Sequence, residues 1–264
     1  MATDQNVIRD AVRERYAEIA RISEDTPSSC CGSSSGCCES PKLSAIEIGY
    51  RSDDVNAAPD AAAFSLGCGN PTAIAELRKG ETVLDLGAGG GFDCFLAARQ
   101  VGPEGRVIGV DMTPEMVSKA RRSAEKLGYT NIEFRLGEIE HLPVADSTVD
   151  VIISNCVVNL APDKRAVYAD AFRALARGGR IAISDVVETT PLPDELRDRT
   201  DLLSACTVGA IGIDAIMAIL RKVGYVDSKI DVDESSRGMI DGWAPGLALG
   251  RYLASALITA RKPA

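Results

Sequence analysis

Cysteine and glycine are the residues here whose types and spacing suit chemistry. The 264 residues include eight cysteines and one histidine, His141. A single histidine leaves any Ser-His-Asp triad dependent on that residue and removes every multi-histidine metal site. Eight thiols without a secretion signal suit a soft ion or redox chemistry better than a disulfide framework. Four of them form two vicinal pairs, Cys30-Cys31 and Cys37-Cys38, in a Ser- and Gly-rich stretch from Ser23 to Ser40. Such a composition reads as a flexible, low-complexity segment. A plain tail or an adventitious zinc site competes with any role for the pairs, although vicinal cysteines lack the C-x-x-C spacing of a zinc knuckle. Cys68, Cys156 and Cys206 are far apart in the chain. Cys94, in Phe92-Asp93-Cys94-Phe95-Leu96, reads as a small buried hydrophobe.

The second feature is a glycine loop, Asp85-Leu86-Gly87-Ala88-Gly89-Gly90-Gly91-Phe92. Gly87 and Gly89 can take positive φ and let a ligand approach the backbone. A helix beginning after the loop supplies unpaired N–H groups. Asp111 lies twenty residues beyond Gly91, where an acid ending a second strand can accept bonds from ribose hydroxyls. A ribose-bearing cofactor is therefore expected at the carboxyl ends of the strands. The dinucleotide fingerprint needs a third small residue where Phe92 stands. The run here is instead Asp85-x-Gly87-x-Gly89-x-Gly91.

These residues need a scaffold, and the pattern supplies one. Ile8, Ala11, Val12, Tyr16, Ile19 and Ala20 predict an amphipathic helix over 5–22. Strands are expected at Thr82–Leu86, Val107–Val110, Ile132–Leu136, Val149–Ser154 and Arg180–Val187. Helices are expected at Phe92–Val101, Pro114–Leu127 (opened by Thr113) and Asp163–Ala176. Strands alternating with helices imply an α/β fold, a parallel sheet covered on both faces. Cys156 then falls at the same sheet edge as the cofactor. Further helices are expected near Asp194–Ala205 and Asp214–Val223, and strands near Ser228–Val232 and Leu253–Ala260. His141 reads as a loop residue. Trp243 could wall a pocket or simply fill core.

There are 29 Lys+Arg against 38 Asp+Glu, a net charge of −9. That balance argues against nucleic acid or an anionic membrane as the main partner. No apolar run reaches the roughly 18 residues of a spanning helix, and the first residues lack a secretory pattern. A cytoplasmic protein is expected.

The glycine run resembles motif I of the Rossmann-like class I S-adenosylmethionine (SAM) methyltransferases. That resemblance implies SAM as cofactor, held by Asp85, Gly87, Gly89, Gly91, Asp111 and Met112. It also puts Glu138, with Ile139, at the adenine amino group, and Asn155 beneath the methionine part. The wider sequence is similar to the arsenite SAM methyltransferases. The residues that carry this are Gly67-Cys68-Gly69-Asn70-Pro71, Val107-Ile108-Gly109-Val110-Asp111-Met112-Thr113, Ser154-Asn155-Cys156-Val157-Val158-Asn159, Ala182-Ile183-Ser184-Asp185-Val186 and Cys206-Thr207-Val208-Gly209. Ala88 stands where many relatives have Cys or Ser. The resemblance implies that Cys68, Cys156 and Cys206 hold trivalent arsenic as thiolates, which suits a soft, thiophilic ion. Cys30, Cys31, Cys37 and Cys38 would hand substrate in or exchange disulfides, with thioredoxin or glutathione as reductant and no obligatory metal cofactor. It implies a helix and Cys-rich segment over 1–43, a SAM-binding domain over 44–189, and a smaller α+β extension over 190–264 completing the arsenic site. Two alternatives share part of this pattern: a SAM methyltransferase of a quinone- or sterol-type acceptor, and a metalloid-binding protein without chemistry.

Overall fold

A computed structural model describes residues 5–25, 50, 69–197, 207 and 209–264. Helix α1 (Gln5–Asp25) turns Val12, Ala17 and Ala20 inward. A short turn of helix, α2 (Pro71–Ile74), precedes β1 (Thr82–Leu86). Then follow α3 (Phe92–Val101), β2 (Arg106–Asp111), α4 (Pro114–Lys126), β3 (Ile132–Leu136) and β4 (Val149–Asn155). After these come α5 (Lys164–Ala174), β5 (Leu175–Glu188), α6 (Asp194–Arg197), α7 (Ile213–Val223), β6 (Val226–Asp233), α8 (Arg237–Trp243) and β7 (Leu253–Arg261). The expected helix over Asp194–Ala205 is seen as far as Arg197, and 198–206 lie outside the described residues.

Among the described residues the strands form one sheet in the order β3-β2-β1-β4-β5-β7-β6. The first five run parallel; β7 runs antiparallel to both β5 and β6. The last two strands thus join the main sheet rather than building a layer of their own. Alternation along the strands sets two cores, because successive side chains leave opposite faces. Leu84, Leu86, Ile108, Val110 and Ile152 meet α5 and α7 on one face. Val83, Val107, Val151 and Ile153 meet α3 and α4 on the other. Each fully buried aliphatic side chain contributes about 1.5–3 kcal/mol, and β1, β2 and β4 are buried on both faces, as parallel strands must be.

Helix ends follow their local signals. Thr113 takes the N-cap position of α4 without a side-chain capping bond, and Pro114 stands at the first helical position. Asp163 caps α5, its carboxylate accepting from the Ala166 N–H at 2.9 Å. The chain leaves α5 directly into β5 at Leu175, two residues short of the expected helix end at Ala176, and Gly178-Gly179 lie inside the strand span. Because β2 and β4 flank β1 on opposite sides, the crevice at their carboxyl ends is the switch point where such sheets bind ligands.

Candidate active site

A cleft opens at that crevice, about 1180 Å³ including its mouth, room for a nucleoside-sized ligand. Its walls come from the turn after β1, the ends of β2 and β4, and α1.

The turn after β1 folds back on β2: the N–H groups of Gly87 and Ala88 donate to the Val110 carbonyl at 2.8 and 2.9 Å. Gly87 has φ 70°, and a Cβ there would run into the side chain of Val157. The glycine turn therefore packs directly on the residue after Cys156. Gly87 and Gly89 line the cleft as expected. Gly91 does not; it opens α3 at φ 91°, where a Cβ would strike Phe134 and Phe95.

Asp111 lines the cleft with Met112 and Thr113. One of its carboxylate oxygens accepts from Gly89 N–H at 2.9 Å and the other from Thr113 N–H at 2.8 Å. Burial pushes its pKa up and these donors oppose the rise. An acid fixed in this way, each oxygen keeping an acceptor site, fits a ribose diol.

Glu138 is turned to α1, its carboxylate 3.5 Å from Arg9 and 3.6 Å from Arg13. Ile139 and Glu140 line the cleft beside it, and Arg9 donates to Glu140 at 3.0 Å. Val12, Tyr16 and Ile19 of α1 cover the same region. The periodicity of α1 is legible in the sequence, but nothing there tells what it covers.

The floor is acidic. Asp85 and Asp93 line the cleft with 3% and 9% exposure. The Cys94 thiol donates to Asp85 at 3.2 Å. Tyr50 O–H donates to Asp93 at 2.7 Å, and the Asn155 amide donates to the Tyr50 oxygen at 2.9 Å and to the Gly69 carbonyl at 2.7 Å. Burial, then the charge of Asp93, pushes Asp85 well above the usual carboxylate range. Burial raises Asp93 to about 6 against the hydrogen bonds of Tyr50 and Asn155. Burial also keeps the Cys94 thiol protonated. Tyr50 and Asp93 were missed in the sequence. The available signal was an acid inside the otherwise apolar run of α3, since a charge is buried there only for a reason.

Cys156 lines the cleft just past β4, 3% exposed. It holds φ 56°, a conformation rare outside glycine, and its N–H donates to the Ser184 carbonyl at 2.8 Å. Cys94 is a buried free thiol. Cys30, Cys31, Cys37, Cys38, Cys68 and Cys206 lie outside the described residues. Trp243 packs against an apolar cluster of Cys156, Val186, Ile240, Leu249 and Leu253. His141 is exposed in a turn after β3.

The sheet order, the glycine turn and the acid ending β2 make this protein a SAM-dependent class I methyltransferase. A family model described as a methyltransferase domain matches residues 77–224. The chain is 51% identical to an arsenite methyltransferase of Halobacterium salinarum, over 99% of this chain and 68% of that protein. It is 36% identical to an arsenite methyltransferase of Aquipseudomonas alcaligenes, over 86% of this chain and 64% of the relative. The crystal structure of an arsenic(III) S-adenosylmethionine methyltransferase from Chlamydomonas reinhardtii aligns with a TM-score of 0.62 at 34% identity, over 86% of this chain and 75% of that one. The chain thus spans about two thirds of the curated relatives it matches. It belongs to the arsenite methyltransferase family. Among the described residues no helix is long and apolar enough to cross a membrane.

Proposed function

We propose that this protein transfers the methyl group of SAM to trivalent arsenic held by the thiolates of Cys68, Cys156 and Cys206. The observation that carries the reading is Cys156 itself, held at the cleft wall in a strained turn that packs on the glycine loop through Val157. Two neighbours support it. Gly69, the residue after Cys68, accepts a hydrogen bond from Asn155 and lies against Ser184, whose carbonyl receives the Cys156 N–H. Thr207, the residue after Cys206, is fully buried, and Gly209 lies against the Asn159 carbonyl three residues past Cys156.

Bound SAM supplies a methyl group on a positive sulfur, an electrophile that needs no proton transfer. The residues then have positioning as their main task. Asp111, Met112 and the glycine turn hold the nucleoside end, with Ile139 and Glu140 flanking it and Glu138 tied to α1. Three thiolates hold arsenic(III) as a pyramid with its lone pair free to attack. The apolar packing of Val186, Ile240, Leu249 and Trp243 around Cys156 keeps water from competing.

Methylation leaves arsenic formally pentavalent, and two thiols passing to a disulfide return it to the trivalent state. A reductant such as thioredoxin or glutathione reopens that bridge. Cys30, Cys31, Cys37 and Cys38 would carry arsenic or disulfides between solvent and the site. Such chemistry suits a reducing, cytoplasmic setting. In this reading residues 1–43 supply the thiol-exchange segment, 44–189 bind the cofactor and carry Cys68 and Cys156, and 190–264 complete the arsenic site with Cys206.

The test is an incubation of purified protein with arsenite, SAM and a thiol reductant, with arsenic speciation by chromatography and mass spectrometry. The wild type is expected to give methylated arsenic. Cys68→Ser, Cys156→Ser and Cys206→Ser are expected to lose at least a hundredfold in rate while binding S-adenosylhomocysteine (SAH) normally by calorimetry. Full turnover by Cys156→Ser would overturn the thiolate site.

A further inference from the structure

The floor of the cleft holds two carboxylates for which the proposed chemistry has no proton-transfer use. Asp85 is the next-to-last residue of β1 and Asp93 stands at the start of α3, and both are buried and line the cleft. Asp111 on β2 adds a third carboxylate nearby, and Asn155 on β4 is neutral. Of the basic groups along the same cleft, Arg9 of α1 is committed to Glu138 and Glu140, and Lys119 stands on α4. Among the described residues, the Tyr50 hydroxyl donates to Asp93 and the Cys94 thiol to Asp85, both neutral donors. A buried carboxylate held by neutral donors is costly, and the cleft gives a cation access to it.

The ligand's direction follows from its ends. With the ribose at Asp111 on β2 and the methyl facing Cys156 past β4, the amino-acid end falls between them, over Asp85, Asp93 and Asn155. This direction rests on the proposed role of Cys156. That end carries an α-ammonium group, a donor and a cation.

We propose that Asp93, oriented by the Tyr50 hydroxyl, receives the methionine ammonium group of SAM. Tyr50 fixes one oxygen of Asp93 at 2.7 Å and is itself fixed by Asn155 at 2.9 Å and by edge-on packing on Phe92 at 4.9 Å. The carboxylate therefore presents its other oxygen in a set direction, and no side-chain reorganisation is needed when the cation arrives. Asp93 binds the ammonium as a carboxylate. In the free protein, burial keeps it protonated up to about pH 6, so binding below that pH releases its proton.

Calorimetry with two ligands tests this without arsenic. SAH carries the ammonium group; 5′-methylthioadenosine has the same nucleoside and thioether but lacks the amino acid. Wild-type protein is expected to bind SAH roughly tenfold more weakly at about pH 5 than at about pH 7.5, as a linked proton near pH 6 requires, with methylthioadenosine flat within about twofold. Asp93→Asn keeps the shape and the Tyr50 bond. It is expected to weaken SAH at least tenfold near pH 7.5, abolish the pH slope and leave methylthioadenosine unchanged. Tyr50→Phe removes a donor to the charged form, so the midpoint should move to higher pH. Equal weakening of both ligands by Asp93→Asn would show a merely structural residue, and an unchanged SAH pH slope in that variant would assign the proton elsewhere; either overturns the proposal. Failure of the wild type to bind SAH at all would instead sink the methyltransferase reading.

Discussion

Cys156 and Asp93 are two cleft residues at which the local rules of folding are broken. Cys156 sits at φ 56°, held there by the Ser184 carbonyl and the Gly87–Val157 contact; a left-handed non-glycine residue costs about 1 kcal/mol or more. Asp93 is a buried acid whose pKa is raised by burial to about 6. Its sign in stability is fixed by linkage. A raised folded pKa means the native state holds a proton that the unfolded chain releases near pH 4. That contribution is full below about pH 4 and is lost as pH climbs through about 6. Asp93→Asn removes the loss. The variant is expected to be more stable than wild type near pH 7.5 by about 1–3 kcal/mol and to show a flatter stability curve between pH 4 and 7, read by urea unfolding of the ligand-free protein. A site residue whose replacement stabilises the fold while it weakens the ligand is the expected signature of stability spent on binding.

At the scale of elements, the glycine turn is what joins the two halves of the cleft. Gly87→Ala puts a Cβ into Val157 at a left-handed φ, whereas at Gly89, φ 50°, nothing lies within 4 Å of an added Cβ. Gly87→Ala is therefore expected to cost about 2–4 kcal/mol and Gly89→Ala about 1 kcal/mol, ordered the same way in thermal melts. A reversal of that order would show that the Val157 contact yields freely. The strand and helix pattern that builds this turn was legible in the sequence, because β1, β2, β4 and α3 are dictated by apolar periodicity and by Gly, Pro and Thr at their ends. Asp111 was legible as a cleft acid for the same reason: it stands at a fixed distance after the loop. Other partnerships were not. Whether Glu138 faces the ligand or Arg9, whether α1 covers the cleft, and whether Asp93 meets Tyr50 are contacts across 43 to more than 100 residues. Local patterns carry no information about them. Gly91 shows the converse: a motif position that packs against Phe134 rather than facing the cleft.

At the scale of the whole molecule, the glycine turn, Asp111 and Cys156 all stand at the ends of strands of one sheet. β7, the last strand described, lies between β5 and β6 and pairs with β5 from Arg180 to Glu188. It buries Leu253, Ala254, Ala256, Ile258 and Ala260, and without it the continuously buried run Ile181–Val187 of β5 would become an edge. Ser184, which fixes both Cys156 and the approach of Gly69, lies in that run, paired with Leu257. The strands before and after residue 190 thus depend on each other for burial. A chain ended after residue 189 leaves an exposed apolar strand, a known route to aggregation. It is expected to give no cooperative thermal transition and no SAH binding, while the full chain gives both. If the shortened chain melted cooperatively and bound SAH as tightly as the full chain, β7 would be an accessory, and the geometry of Cys156 would not depend on it.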